Sequence, residues 1–83
     1  MYKATITVKL RPSILDPEGK AIEHALQSLE FTGLANVRVG KEIELAVDAD
    51  SEDDARSAVD QACRKLLANP VMEDYTFTLE KVA

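Results

Sequence analysis

The chain has 83 residues, 46% of them hydrophobic, and its ten Lys and Arg against fifteen Asp and Glu give a formal net charge of −5. That is material for one domain, residues 1–83, whose compact form would expose about 4,900 Å², too little to enclose a deep active site with its own supporting shell. No apolar run approaches the roughly 20 residues of a membrane span, and the opening lacks a signal-peptide pattern. Dispersed cations with two Phe, two Tyr and no Trp argue against a nucleic-acid surface. The lone Cys63 excludes an internal disulfide, so the expectation is a cytoplasmic protein in a reducing compartment.

From Tyr2 to Leu10 the even positions are apolar and the odd ones are Lys or Thr, the period of a strand with one buried face. Arg11-Pro12 ends it. Asp16-Pro17-Glu18 then marks a helix start: Asp16 caps free N–H groups, Pro17 at the first helical position loses only an orphan donor, and Glu18 suits the positive end of the dipole. Ile22, Ala25, Leu26 and Leu29 predict one buried stripe on a helix from about Pro17 to Leu29 or Glu30, with Thr32-Gly33 as the break. Residues 36–47 fit two patterns equally: one long strand bent at Gly40, or a hairpin turning through Gly40-Lys41-Glu42. Ser51 and the acids after it predict a second helix, with Ala55, Ala58, Val59, Ala62, Cys63, Leu66 and Leu67 on its inner face and Asn69-Pro70 as its stop. A last strand follows from about Asp74, where Tyr75, Phe77 and Leu79 alternate with Thr76 and Thr78. The order predicts a two-layer α+β domain, an antiparallel sheet with two helices on one face, related to the ferredoxin-like β-α-β(β)-α-β arrangement.

The chemical inventory is short. His24 is the only histidine and sits at the edge of the first apolar stripe, with no nucleophile motif beside it. Cys63 falls on a buried helix face and reads as a small core residue. Asp48, Asp50, Glu52, Asp53 and Asp54 lack the glycine and distal Glu of a calcium loop and read as a solvated helix start. Gly19, Gly33 and Gly40 are too far apart for a phosphate-binding loop. Read from its residues, the chain holds no catalytic, metal or cofactor site and works by contact.

Three blocks carry a resemblance. Leu15-Asp16-Pro17-Glu18-Gly19-Lys20-Ala21 with Ala25-Leu26, then Asn36-Val37-Arg38-Val39-Gly40-Lys41 with Glu44-Leu45, then Leu66-Leu67-Ala68-Asn69-Pro70-Val71 with Glu73-Asp74-Tyr75 resemble, in order and spacing, the PurS proteins. These are the small subunit of phosphoribosylformylglycinamidine synthase, and the resemblance covers essentially the whole chain. It implies a part in purine biosynthesis, in a complex that uses ATP and glutamine to convert formylglycinamide ribonucleotide to its amidine. A glutaminase, PurQ, releases ammonia, and a synthetase, PurL, consumes it. The resemblance implies a non-catalytic subunit that dimerises, bridges the two and assists ammonia transfer, with ATP and magnesium belonging to the synthetase and no cofactor in this chain.

The motif positions that packing does not account for are the candidate partner contacts: Asp16 and Lys20 at the first helix start, Arg38, Gly40 and Lys41 in the middle segment, and Asn69, Glu73, Asp74 and Tyr75 after the second helix. Unpaired edges on the first and last strands, both rich in β-branched and aromatic residues, predict a homodimer, or a dimer of dimers. The rival reading is a ferredoxin-like module that senses a small molecule. It would need a glycine-bearing loop after the first strand, where this chain has Arg11-Pro12-Ser13-Ile14-Leu15.

Overall fold

β1 (Tyr2–Leu10) runs through the centre of a three-stranded antiparallel sheet of order β2-β1-β3. The structure, a computed structural model, describes residues 1–82. β2 (Gly40–Val47) and β3 (Glu73–Lys81) pair with the two sides of β1 along almost their whole length. The predicted alternation holds: Tyr2, Ala4, Ile6 and Val8 are all buried, and the intervening Lys and Thr face the other way. Because β1 is the central strand, it has no free edge, and the unpaired edges belong to β2 and β3.

The middle segment is one strand, and it begins only at Gly40. Residues 36–39 lead into it without pairing to the sheet. The hairpin alternative is excluded because every residue from Gly40 to Val47 pairs with β1, from Lys9 opposite Gly40 to Tyr2 opposite Val47. A turn at Gly40-Lys41-Glu42 would remove the start of that ladder.

α1 (Pro17–Ser28) begins as the residues dictate, with Asp16 capping and Pro17 first. It ends at Ser28, beside the expected Leu29 or Glu30 and before Thr32-Gly33. Glu30 takes a left-handed φ of 69°, and the N–H of Phe31 donates back to the Leu26 carbonyl at 2.9 Å, the geometry of a Schellman stop built without glycine. α2 (Glu52–Ala62) starts at Ser51, whose hydroxyl accepts from the Asp54 N–H at 3.1 Å. Its last turn, Cys63–Leu67, widens to π geometry, and Ala68 N–H reaches the Cys63 carbonyl.

α2 packs across the sheet and completes the core: Ala55, Val59 and Cys63 lie against Ala4, Ile6 and Val8. The buried line is narrower than the predicted stripe, since Ala58 is exposed and Leu66 is 82% exposed. The wide turn rotates Leu66 outward while Leu67 stays half-buried. The larger departure is α1. It forms as a helix, yet only Gly19 is buried in it, and of its apolar stripe Ile22, Ala25 and Leu29 are exposed and Leu26 is half-buried. Of the two helices expected on one face, one covers that face within this chain.

Candidate functional site

The register gathers most of the candidate residues at one end of the sheet. Where β1 finishes, β2 and β3 begin: Lys9 lies opposite Gly40 and Asp74, Val8 opposite Lys41 and Tyr75, and Leu10 opposite Glu73. The loop from β1 to α1 leaves from the same end and brings Asp16 and Lys20 with it. Positions separated by more than fifty residues in sequence thus form one rim.

Asp16 is 5% exposed and its carboxylate joins two segments. Oδ1 accepts from the Gly19 N–H at 2.9 Å, the helix cap. Oδ2 accepts from the Val39 N–H at 2.8 Å, which ties the lead-in of β2 to the start of α1. The Val39 and then the Gly19 hydrogen bonds hold the carboxyl below its ordinary pKa, outweighing the effect of burial. Glu23 adds a third tie, its carboxylate accepting from the Val37 N–H at 3.2 Å. Gly19 is required by closeness: a Cβ there would stand 2.4 Å from the Val37 carbonyl oxygen.

Arg38 works inward. Its guanidinium donates to the carbonyls of Leu10 at 3.1 Å, Arg11 at 2.9 Å and Ile14 at 3.2 Å. A planar fork of donors suits this use, because one side chain then binds the carbonyl at the end of β1 and two carbonyls of the loop that follows it. Asp16 and Arg38 therefore form a clasp, one taking backbone N–H groups and the other giving to backbone carbonyls. A cleft of about 300 Å³ lies beside it, lined by Leu15, Lys20, Glu23 and Asn36 among others.

The β3 side of the rim is built around the turn after α2. Asn69 accepts from the Val71 N–H through its side chain at 2.9 Å, and its own N–H donates to the Glu73 carboxylate at 2.7 Å. Arg11 donates to the Pro70 carbonyl and pairs with Asp74 at 3.4 Å. The Tyr75 hydroxyl donates to Asp60 Oδ1 at 2.5 Å, and Arg64 pairs with the same carboxylate. The Tyr75 bond, with Arg64 second, holds the Asp60 carboxyl below its usual range, and Asp60 in turn raises the Tyr75 phenol. A cleft of about 310 Å³ opens between Arg11, Cys63, Arg64, Asp74 and Tyr75. Burial pushes the Cys63 thiol up, with the Asp60 charge adding to it, so this buried thiol is a poor nucleophile.

Gly40 and Lys41 border both groups, in a hollow they share with Glu18 and Glu73. Among the described residues neither Lys20 nor Lys41 takes part in an ion pair, and both are exposed. Sequence reading missed Arg11, Glu23 and Asp60. Asp60 and Arg64 stand four apart on one helix, a spacing that is visible in sequence. Arg11 and Glu23 act on segments far away in the chain and leave no local pattern. His24 is exposed on α1, away from both clefts. Among the described residues no group of three or more His, Cys, Asp or Glu side chains is placed to hold a metal ion, and no helix is long and apolar enough to cross a membrane.

Residues 3–81 match the family described as PurS, phosphoribosylformylglycinamidine (FGAM) synthase. A Bacillus subtilis protein named phosphoribosylformylglycinamidine synthase subunit PurS is 44% identical over 99% of this chain and 96% of its own length. The Mycobacterium leprae protein of the same name is 48% identical over 96% of this chain and 98% of its own. The crystal structure of Methanocaldococcus jannaschii PurS superposes with a TM-score of 0.90, at 40% identity and with both chains fully covered. A chain in the structure of PurLQS from Thermotoga maritima superposes with a TM-score of 0.88 at 35% identity, over 95% of this chain and 96% of that one. By sequence and by fold alike, this chain belongs to the PurS family of FGAM synthase subunits.

Proposed function

We propose that this chain acts by contact within FGAM synthase, holding a PurQ glutaminase and a PurL synthetase in register so that ammonia released by one reaches the other. The observation that carries this reading is the rim: Gly40, Lys41, Glu73, Asp74 and Tyr75 of the motif blocks meet at one end of the sheet, and none is arranged as nucleophile, base and acid. The similarity to a chain in the PurLQS structure supports partners of these two kinds. Ammonia in water is protonated and lost, so its transfer requires a closed interface, and a small sheet domain stiffened by backbone ties can form one wall of it. On this reading the chain has no catalytic residue, ATP and magnesium are handled by the synthetase, the complex is cytoplasmic, and the chain is a homodimer or a dimer of dimers.

The small-molecule-sensing alternative has less support. Such a module needs the loop after β1 free to close on a ligand, and here Arg38 binds the Leu10 carbonyl at the end of β1 and the Arg11 and Ile14 carbonyls of that loop.

The test is amidine formation by the PurL and PurQ partners from the same source, with and without this chain, using glutamine or ammonium as nitrogen donor. Glutamine-driven activity is expected to require the chain, and ammonium-driven activity to survive largely without it. Equal glutamine-driven activity in both samples would reject the bridging role.

A further inference from the structure

Two clefts open at the end of β1, one beside the Asp16–Arg38 clasp and one beside the turn after α2. The clasp leads into β2 and the turn into β3, and these strands lie on opposite sides of β1 without being neighbours in the sheet. Whatever fixes one cleft against the other therefore passes through the end of β1. That strand stops at Leu10, and the chain turns away at once, with the Ile14 N–H donating to the Arg11 carbonyl at 2.9 Å.

Arg11 supplies the link. Its N–H donates to the Met72 carbonyl at 2.9 Å, which carries the β1–β3 register one residue past the strand. Carried further, the same register would set Ser13 opposite Pro70, but the chain has already left the sheet. The Arg11 guanidinium takes that place: it donates to the Pro70 carbonyl and pairs with Asp74 at 3.4 Å. On the other side the Arg11 carbonyl accepts from Arg38 at 2.9 Å. One residue thus holds the clasp with its backbone oxygen and the turn with its side chain. Among the described hydrogen bonds and ion pairs, no other residue of the loop from β1 to α1 reaches the turn. The Arg11 and Asp74 side chains are 44% and 64% exposed, and a pair so exposed adds little to stability. A rigid fork that meets a carbonyl and a carboxylate together instead sets a position.

We propose that Arg11 is a positioning residue for nitrogen transfer: it fixes the turn of residues 69–72 against the Asp16–Arg38 clasp, so that partners seated along the rim meet over a closed gap. This role rests on the bridging reading above and adds the residue that sets the spacing. Arg11 touches neither substrate nor reacting atoms. It acts through Pro70 and Asp74 on one side and through Arg38 on the other. Without its side chain each half of the rim keeps its own ties, Asp16 to Val39 on one side and Asn69 to Val71 and Glu73 on the other. What is lost is the relation between the halves. A misplacement of about 1 Å far from the chemistry can cost about 10²-fold in rate. For a small product that must cross an interface, the same error appears as escape: glutamine is hydrolysed to glutamate and ammonia, and the ammonia is lost to water before it forms amidine.

Glutamate released per amidine formed, in the assembled complex of this chain with its PurL and PurQ partners, tests the role. Wild type is expected to release one glutamate per amidine, and Arg11→Ala about threefold more. The ammonium-driven rate, which needs no bridge, is the internal reference. Arg11→Lys keeps the charge but reaches Pro70 or Asp74 and not both, so its ratio is expected to lie between the two. Where Arg11→Ala does not fold, Arg11→Lys carries the same decision. Amide exchange of the free chain is the second readout. Arg11→Ala is expected to speed exchange at Val71, Met72 and Glu73 about tenfold, while Val39 and Ile6 keep their wild-type rates. A wild-type ratio in Arg11→Ala overturns the proposal, and a wild-type ratio in Arg11→Lys shows that charge suffices and overturns the fork. A raised ratio with unchanged exchange at the turn, or loss of assembly in a chain that still folds, makes Arg11 a direct contact and overturns it too. Faster exchange at Val39 and Ile6 along with the turn leaves Arg11 a role in stability alone and overturns it as well. The bridging reading fails by a different result: equal glutamine-driven amidine formation with and without the wild-type chain.

Discussion

The carboxylate of Asp16 accepts the backbone N–H of Val39 at 2.8 Å, across twenty-three positions of sequence. With the same side chain it caps its own helix through Gly19. One residue thus starts α1 and also decides where that helix stands relative to β2.

The Asp16 carboxyl is held below its ordinary pKa by the Val39 and Gly19 hydrogen bonds. A depressed folded-state pKa contributes stability that is present above the unfolded value and lost as pH falls through the folded one. Stability is therefore expected to fall from about pH 4 downward as Asp16 protonates. Asp60, lowered by Tyr75 and Arg64, adds to the same slope. Denaturant unfolding of Asp16→Ala across this range should show a shallower acid limb than wild type, and an identical limb would remove Asp16 from the account.

The glycines should respond differently to alanine. Gly19→Ala places a Cβ 2.4 Å from the Val37 carbonyl oxygen, and Gly40→Ala places one 2.6 Å from the Val8 carbonyl oxygen. Both are expected to destabilise by about 1–3 kcal/mol, although alanine is ordinarily the better helix former at the first site. Gly33 meets nothing within 4 Å and has no positive φ, so Gly33→Ala should be neutral or stabilise by up to about 1 kcal/mol. Chemical denaturation of the three variants checks the order.

Glu30 carries a left-handed φ of 69° at the end of α1, a conformation that strains a side chain with a Cβ. Glu30→Gly is expected to stabilise the helix end by about 1 kcal/mol, visible as slower amide exchange at Phe31, whose N–H closes the stop. Faster exchange there would mean that the glycine gains nothing.

Tyr75 titrates above the normal phenol range because its hydroxyl donates to Asp60. Ultraviolet titration of the folded protein should show a phenol ionising late, and Tyr75→Phe should remove that component. Two phenols ionising at ordinary pH in the wild type would contradict the bond.

Charge reversal at Arg38 should disturb assembly through the loop rather than at the surface. The guanidinium's contacts are to Leu10, Arg11 and Ile14 of its own chain, so Arg38→Glu is expected to accelerate amide exchange from Arg11 to Gly19 and to lower glutamine-driven amidine formation together. Lost activity with unchanged exchange would instead place Arg38 directly against a partner.

The sequence by itself determined what depends on near neighbours. Alternation set β1 and β3, the caps at Asp16 and Ser51 set where both helices begin, and the motif blocks carried the family. These are properties of one or two turns of chain, where side-chain period and backbone donors decide the outcome. The tertiary structure alone decided what depends on distant pairing. Residues 36–47 offer two patterns of equal merit, and only the ladder to β1 selects the single strand. The inward role of Arg38 depends on three carbonyls at least twenty-four positions away, and no local period records them. The α1 stripe has the spacing of a buried helix, but spacing specifies an apolar face and not the surface that covers it. Ile22 and Leu29 are 40% and 68% exposed despite that spacing, which is why the helix was legible and its packing was not.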